Sequence, residues 1–168
     1  RYRSSAASDV YKRQILFSRN SNNIDQAKKL TSSIRKIFND PNYPILIDQE
    51  GGRVNRLKKI ISFDNLTAEF FGKKFSKNHL EFKIFFKLFI DKTSFLLKSI
   101  GVNINTMPVL DLKIKGSSNV IGDRSYSNDP KIVSKIGDIC IDFFRQNSIG
   151  TVIKPVSYTH LTLPTTYT

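Results

Sequence analysis

The sequence predicts an α/β fold, about four parallel strands alternating with helices and forming part of a (β/α)8 barrel. Three observations carry this expectation. Short apolar runs recur at Ile15-Leu16-Phe17, Ile45-Leu46-Ile47, Val102-Asn103-Ile104-Asn105 and Ile149-Gly150-Thr151-Val152-Ile153, and each passes directly into polar residues. The stretches between them repeat apolar residues at helical spacing. The polar residues that the strands release, Asp48, Asp111, Arg124 and Lys154, would gather on one rim of a barrel. A doubly wound sheet is the alternative, and the shared rim favours the barrel.

The most informative stretch runs from Pro44 to Arg56. Ile45, Leu46 and Ile47 read as a strand buried on both faces, followed at once by Asp48, Gln49, Glu50 and the pair Gly51-Gly52. In parallel α/β folds, loops leaving the C-terminal ends of strands bind ligands. Asp48 is therefore a site candidate on position alone. The glycine pair fits neither phosphate-binding fingerprint, and a tight turn is the simpler account of it.

Before this strand, Ile24, Ala27, Leu30, Ile34, Ile37 and Phe38 predict a helix capped by Asn23 and stopped near Asn39-Asp40-Pro41. After it, Leu57 to Asn78 is less regular, with Phe63, Leu66, Phe70, Phe71 and Phe75 expected to cover the barrel from outside. Leu80 to Ser99 predicts a helix with Phe82, Phe85, Phe86, Phe89, Thr93 and Leu96 on its buried face and Gly101 as its stop. His79 has no nearby histidine or cysteine and reads as a surface or capping residue. The third strand continues toward Met107-Pro108-Val109-Leu110 and releases Asp111, and Lys113 to Asn119 reads as a site-facing loop. Asp129-Pro130 then opens the clearest helix, with Ile132, Val133, Ile136, Ile139, Cys140, Phe143 and Phe144 on one stripe.

Composition narrows the class. The 168 residues suit one domain, and 39% apolar content with 13 Phe can fill a core. No apolar run reaches the roughly 18 residues of a spanning helix, no signal segment opens the chain, and no membrane partner is expected. Cys140 is the single cysteine, which excludes an internal disulfide and reads as a packed, inert thiol. The net charge of +13 raises a basic, non-catalytic nucleic-acid-binding domain as a competing class. The lysines, however, are scattered as pairs among Asn, Ile and Phe, as on solvated helix faces, so no nucleic acid is expected as partner.

Both ends differ from the interior. Residues 1–14 (RYRSSAASDVYKRQ) and 156–168 (VSYTHLTLPTTYT) resemble translated adaptor sequence, which leaves 15–155 as the expected domain.

The released side chains suggest a chemistry. Acids accept from sugar hydroxyls, while Arg56, Arg124 and Lys154 donate to ring and hydroxyl oxygens, so the mixed-charge set suits a polyhydroxyl ligand. Asp48 and Asp111 read as binding or loop-bracing residues. Carboxylates on one loop do not by themselves give the two-sided arrangement that retaining glycoside hydrolysis needs. Blander roles stand beside these: Asp111 as a turn cap, Arg56 as the partner of a neighbouring acid, and Asp123 as the positioner of Arg124.

The motifs ILFSRN, ILIDQEGGRVNRL, NINTMPVLDL and VIGDRSYSNDP, spread over Ile15 to Lys154, resemble those of bacterial β-N-acetylhexosaminidases of the family-3 glycoside hydrolases. The resemblance implies a TIM-type barrel without a cofactor or metal. It also implies release of terminal N-acetylglucosamine from a muropeptide or chitobiose-like substrate in cytoplasmic peptidoglycan recycling, with a related family-3 β-glucosidase as the near alternative. By motif position, Asp48, Arg56, Arg124 and Lys154 would bind the sugar. The family pattern continues from this lysine into a histidine loop that carries the general acid/base, with the aspartate nucleophile further on. Here Pro155 and the foreign tail follow, so an inactive fragment is expected, and His160 is no substitute.

Overall fold

A computed structural model describes residues 14–113 and 120–154. Strands β1 (Gln14–Leu16), β2 (Ile45–Ile47), β3 (Ile104–Asn105) and β4 (Gly150–Thr151) lie side by side in chain order, every pair parallel. A doubly wound sheet reverses its strand order at a switch point. Uninterrupted order 1-2-3-4 is instead the progression of a barrel wall, as expected. A bridge from Val109 to Lys154 carries the β3–β4 pairing to the rim.

The first strand is shifted by one residue from the expected Ile15–Phe17. Gln14 pairs opposite Ile45, whereas Phe17 N–H donates to Asn20 Oδ1 at 3.0 Å and opens a short 3-10 turn. In helix α1 (Ile24–Phe38) the expected cap is present, with Asn23 accepting from Gln26 N–H at 2.8 Å. Its expected apolar stripe is only partly buried. Ala27 and Thr31 make the close contact with the core, and Thr31 Oγ1 donates to the Ile100 carbonyl at 2.8 Å, while Ile37 remains 78% exposed. Small residues bring this helix near, so its larger side chains overhang. The stop is Asn39, in the left-handed region at φ 49°, two residues before Pro41.

The irregular region contains a helix that the sequence reading missed, α2 (Ala68–Lys77), capped by Thr67 Oγ1 accepting from Phe70 N–H. It is short and carries Gly72 in its middle, which hides its period. Helix α3 (His79–Ser99) follows after Asn78, whose side chain accepts from Leu80 and Glu81 N–H. Phe82, Phe86, Phe89, Thr93 and Leu96 are buried as expected. Phe85 is not: it lies outside, with Lys74 Nζ 4.5 Å from its ring. His79 is exposed, with Nδ1 2.6 Å from the Phe75 carbonyl oxygen. Helix α4 (Pro130–Gln146) begins as expected, its cap Asp129 accepting from Lys131 N–H. Of the loop expected over Lys113–Asn119, positions 114–119 lie outside the described residues. So do the adaptor-like ends, apart from Gln14.

Helices α2, α3 and α4 cover one side of the sheet through an aromatic cluster. Phe71 lies 4.8 Å from Phe86 and 5.2 Å from Phe89 by ring centroid, and Phe82 lies 5.0 Å from Phe86. Each such ring, fully buried, contributes roughly 1.5–3 kcal/mol. Cys140 is wholly buried on α4, and burial pushes its thiol far above the usual range although Tyr126 bonds to it, so it is inert as expected. Among the described residues, no helix is long and apolar enough to cross a membrane.

Candidate functional site at the strand ends

The four residues predicted from sequence meet in one network where β2, β3 and β4 end. Asp48 leaves β2, and its Oδ1 lies 3.0 Å from Lys154 Nζ while its Oδ2 lies 3.2 Å from Arg56 Nη2. Thr106, immediately after β3, donates its hydroxyl to the same Asp48 Oδ1 and lies 3.1 Å from Lys154 Nζ. Arg124 joins through Glu50, which it grips with two bonds, Nε to Oε2 at 2.9 Å and Nη2 to Oε1 at 2.8 Å. Lys154 Nζ also lies 2.6 Å from Glu50 Oε1 and so ties the two halves together. Asp111 is buried nearby, its charge acting on Arg124 and its carbonyl accepting from Ser125 Oγ at 2.6 Å.

Glu50 and Thr106 were not predicted. For Glu50 the signal was present, since an acid only two residues beyond Asp48 leaves the same strand end. It was set aside because successive carboxylates on one loop do not guarantee the two-sided arrangement that retaining hydrolysis needs. For Thr106 there was no signal.

The loop after β2 is held by amides. Asn105 accepts from Gln49 N–H and donates to the Gln49 carbonyl, both at 3.0 Å. The fully buried Gln49 side chain accepts from Arg56 and Leu57 N–H at 2.9 and 3.1 Å and donates to Asn55 Oδ1 at 2.9 Å. These bonds fix the backbone from which Arg56 reaches Asp48. Gly51 and Gly52 make the tight turn, with φ of +86° and +53°, and a side chain at Gly51 would meet the Leu66 carbonyl oxygen. The pair is thus packed against protein and does not cradle a ligand. On the far side of the turn, Arg53 donates to the Val120 and Ile121 carbonyls at 2.6 and 2.9 Å and pairs with Asp123 at 3.1 Å, clamping the segment that presents Arg124.

The electrostatics favour an ionised carboxylate at Asp48. Burial would raise the Asp48 pKa, but hydrogen bonds from Thr106 and Lys154, the Lys154 charge and the Arg56 bond outweigh it and hold the carboxyl below its ordinary value. A general acid must hold a proton near neutral pH, and these contacts favour an ionised Asp48 instead. Arg124 is shifted up, chiefly by its bonds to Glu50 and against the effect of burial. A folded pKa below the ordinary 3.8 means that Asp48 stabilises the fold fully above that pH and loses this contribution as the pH falls through its lowered value. Unfolding free energies measured from pH 7 down to pH ~3 should therefore show an acid-side decline that is weaker in Asp48→Asn. An unchanged decline would place the titration elsewhere.

Three cations face Asp48, Glu50 and Asp111, so the cluster is close to neutral. Phosphate would favour an excess of cations, while a neutral polyhydroxyl ligand suits paired donors and acceptors. A groove of about 760 Å³ lies outside the wall between α2 and the stretch from Ser125 to Asn128, where Lys73 and Lys113 share the single Glu69 carboxylate at 2.9 and 3.0 Å. No group of three or more His, Cys, Asp or Glu able to hold a metal occurs among the described residues.

Residues 12–157 match the glycosyl hydrolase family 3 N-terminal domain. The chain is 36% identical over 140 residues to a beta-hexosaminidase of Hydrogenovibrio crunogenus, covering 83% of this chain and 38% of that protein. It is 35% identical over 130 residues to a beta-hexosaminidase of Neisseria gonorrhoeae, covering 73% and 33%. The crystal structure of NagZ from Neisseria gonorrhoeae in complex with N-trifluoroacetyl-D-glucosamine superposes with a TM-score of 0.73 at 27% identity, over 83% of this chain and 41% of that one. The chain thus spans between about a third and two fifths of the length of these relatives, and the shared part includes the barrel wall that carries the ion-pair network. It belongs to glycosyl hydrolase family 3.

Proposed function

We propose that this polypeptide is the sugar-recognising part of a retaining β-N-acetylglucosaminidase barrel, with Asp48, Arg56, Arg124 and Lys154 binding a terminal N-acetylglucosamine. The observation that carries the reading is Lys154 Nζ bridging Asp48, Glu50 and Thr106 at 3.0, 2.6 and 3.1 Å, which joins side chains from three strand ends into one near-neutral donor and acceptor surface. The substrate is a muropeptide or a chitobiose-like glycan, handled in cytoplasmic peptidoglycan recycling. The glycosidase portion is 15–155, flanked by the adaptor-like segments. No catalytic residue is assigned. Asp48 is kept ionised, and the acid/base histidine and nucleophile expected by family resemblance have no counterpart at the positions after Lys154, so the 168-residue polypeptide binds sugar without hydrolysing it.

Calorimetry with N-acetylglucosamine and glucose, alongside an aryl N-acetylglucosaminide assay, tests this. Binding of N-acetylglucosamine in preference to glucose, weakened about tenfold or more by Arg124→Ala, and no turnover are expected, since a lost charge-assisted bond is worth about 1.5–3 kcal/mol. Appreciable hydrolysis would refute the binding-only assignment. Equal affinity for glucose would favour a β-glucosidase-type pocket.

A further inference from the structure

Helix α3 is apolar on two opposite faces. One buries Phe82, Phe86, Phe89, Ile90 and Leu97 against the core. On the other, Leu80, Ile84, Leu88 and, one turn beyond Asp91-Lys92, Phe95 follow the helical repeat and are 70%, 53%, 61% and 62% exposed, with Phe85 beside them at 45%. From Leu80 to Phe95 this ridge runs about 22 Å at the helical rise. A solvent-facing helix surface would ordinarily be polar.

The charges along the ridge are mostly positive. Lys83, Lys87, Lys92 and Lys98 are all exposed on α3. The helix's acids are already engaged, Asp91 by Lys87 at 2.7 Å and by Asn147, and Glu81 by Lys74. Lys92 Nζ lies 5.7 Å from the Phe95 ring and Lys74 Nζ 4.5 Å from the Phe85 ring, so the lysine stems run over apolar surface with their ammonium groups at its border. Apolar side chains bordered by lysines form the pattern of a helix lying in a lipid interface.

We propose that the outer face of α3 docks the protein on an anionic phospholipid surface, with Leu80, Ile84, Leu88 and Phe95 entering the headgroup boundary and the lysines meeting the lipid phosphates. Charge separates this occupant from a second copy of the chain, because two such faces would set their lysine rows against each other. The ridge projects from a helix backed directly by the core, and a fluid bilayer receives such a ridge without a matching groove. The contact lies along the surface and spans nothing.

Co-sedimentation with vesicles tests the proposal. The full chain should sediment with phosphatidylcholine vesicles containing phosphatidylglycerol and much less with phosphatidylcholine alone, and its binding should fall as salt rises from about 0.05 to about 0.5 M. Ile84→Glu/Leu88→Glu should reduce binding at least about tenfold, and Lys83→Gln/Lys98→Gln about fivefold for each charge removed. All four positions are exposed, and unchanged far-UV circular dichroism would show that the variants fold. Absence of vesicle binding, or equal binding to neutral vesicles, would overturn the proposal. So would a concentration-dependent dimer in sedimentation velocity that Ile84→Glu/Leu88→Glu dissociates, which would assign the ridge to a second copy.

Discussion

Glu50→Gln is expected to destabilise the protein by about 3 kcal/mol and to abolish measurable sugar binding. Glu50 is 8% exposed and takes two bonds from Arg124 and one from Lys154. A neutral amide of the same shape fills the same volume but neutralises neither cation. Arg124 and Lys154, whose side chains are only 15% and 21% exposed, would then lack a counter-charge at that position. Removing one partner of a buried pair costs about 3–5 kcal/mol, and partial solvent access here argues for the lower end. Urea unfolding of both proteins would measure the difference, and a loss below about 1 kcal/mol would show that water already screens the pair. The binding effect is separable, because Arg124 would lose the anchor that aims it. If stability falls while affinity for N-acetylglucosamine persists, Glu50 supports the wall without organising the pocket.

Gly72→Ala should cost at least about 3 kcal/mol, a large part of the stability margin of a small domain. A Cβ there would stand 1.6 Å from the Tyr126 carbonyl oxygen and 2.6 Å from its carbon. The obstacle is backbone on both sides, so no rotamer change relieves it. Alanine ordinarily favours a helix over glycine by about 1 kcal/mol, which makes the sign diagnostic. A stabilised or neutral variant would mean that α2 and the stretch after Arg124 do not touch. Thermal unfolding followed at 222 nm would decide the sign.

How much of this was readable in the chain differs by element. The strand at Ile45–Ile47, the helix after Asp129-Pro130 and the cap at Asn23 were legible because each combines a local signal with an apolar pattern of matching period. Asp48, Arg124 and Lys154 were legible because each was read as leaving a strand for polar sequence, whereas Arg56 was assigned by the resemblance of its motif, and the order of the strands then brings them to one rim. Helix α2 was hidden by its length and by Gly72, whose purpose is a contact with a residue 54 positions away. Glu50 was passed over because its partners lie 74 and 104 positions downstream, a relation that no window can show. Helix α3 was read as having one apolar face, and its second escaped notice because phenylalanines crowd the whole segment.

The bond between Lys154 and Asp48 joins positions 106 residues apart. Contacts of such separation form late, after the shorter loops between them have closed. The acids at 48 and 50 then have only Arg56 and Arg124 as partners until the fourth strand arrives with the lysine that joins them, so the proposed sugar-binding surface is complete only when that strand docks. Ligand affinity should thus serve as a read-out of completed wall assembly, silent for every shorter folding intermediate.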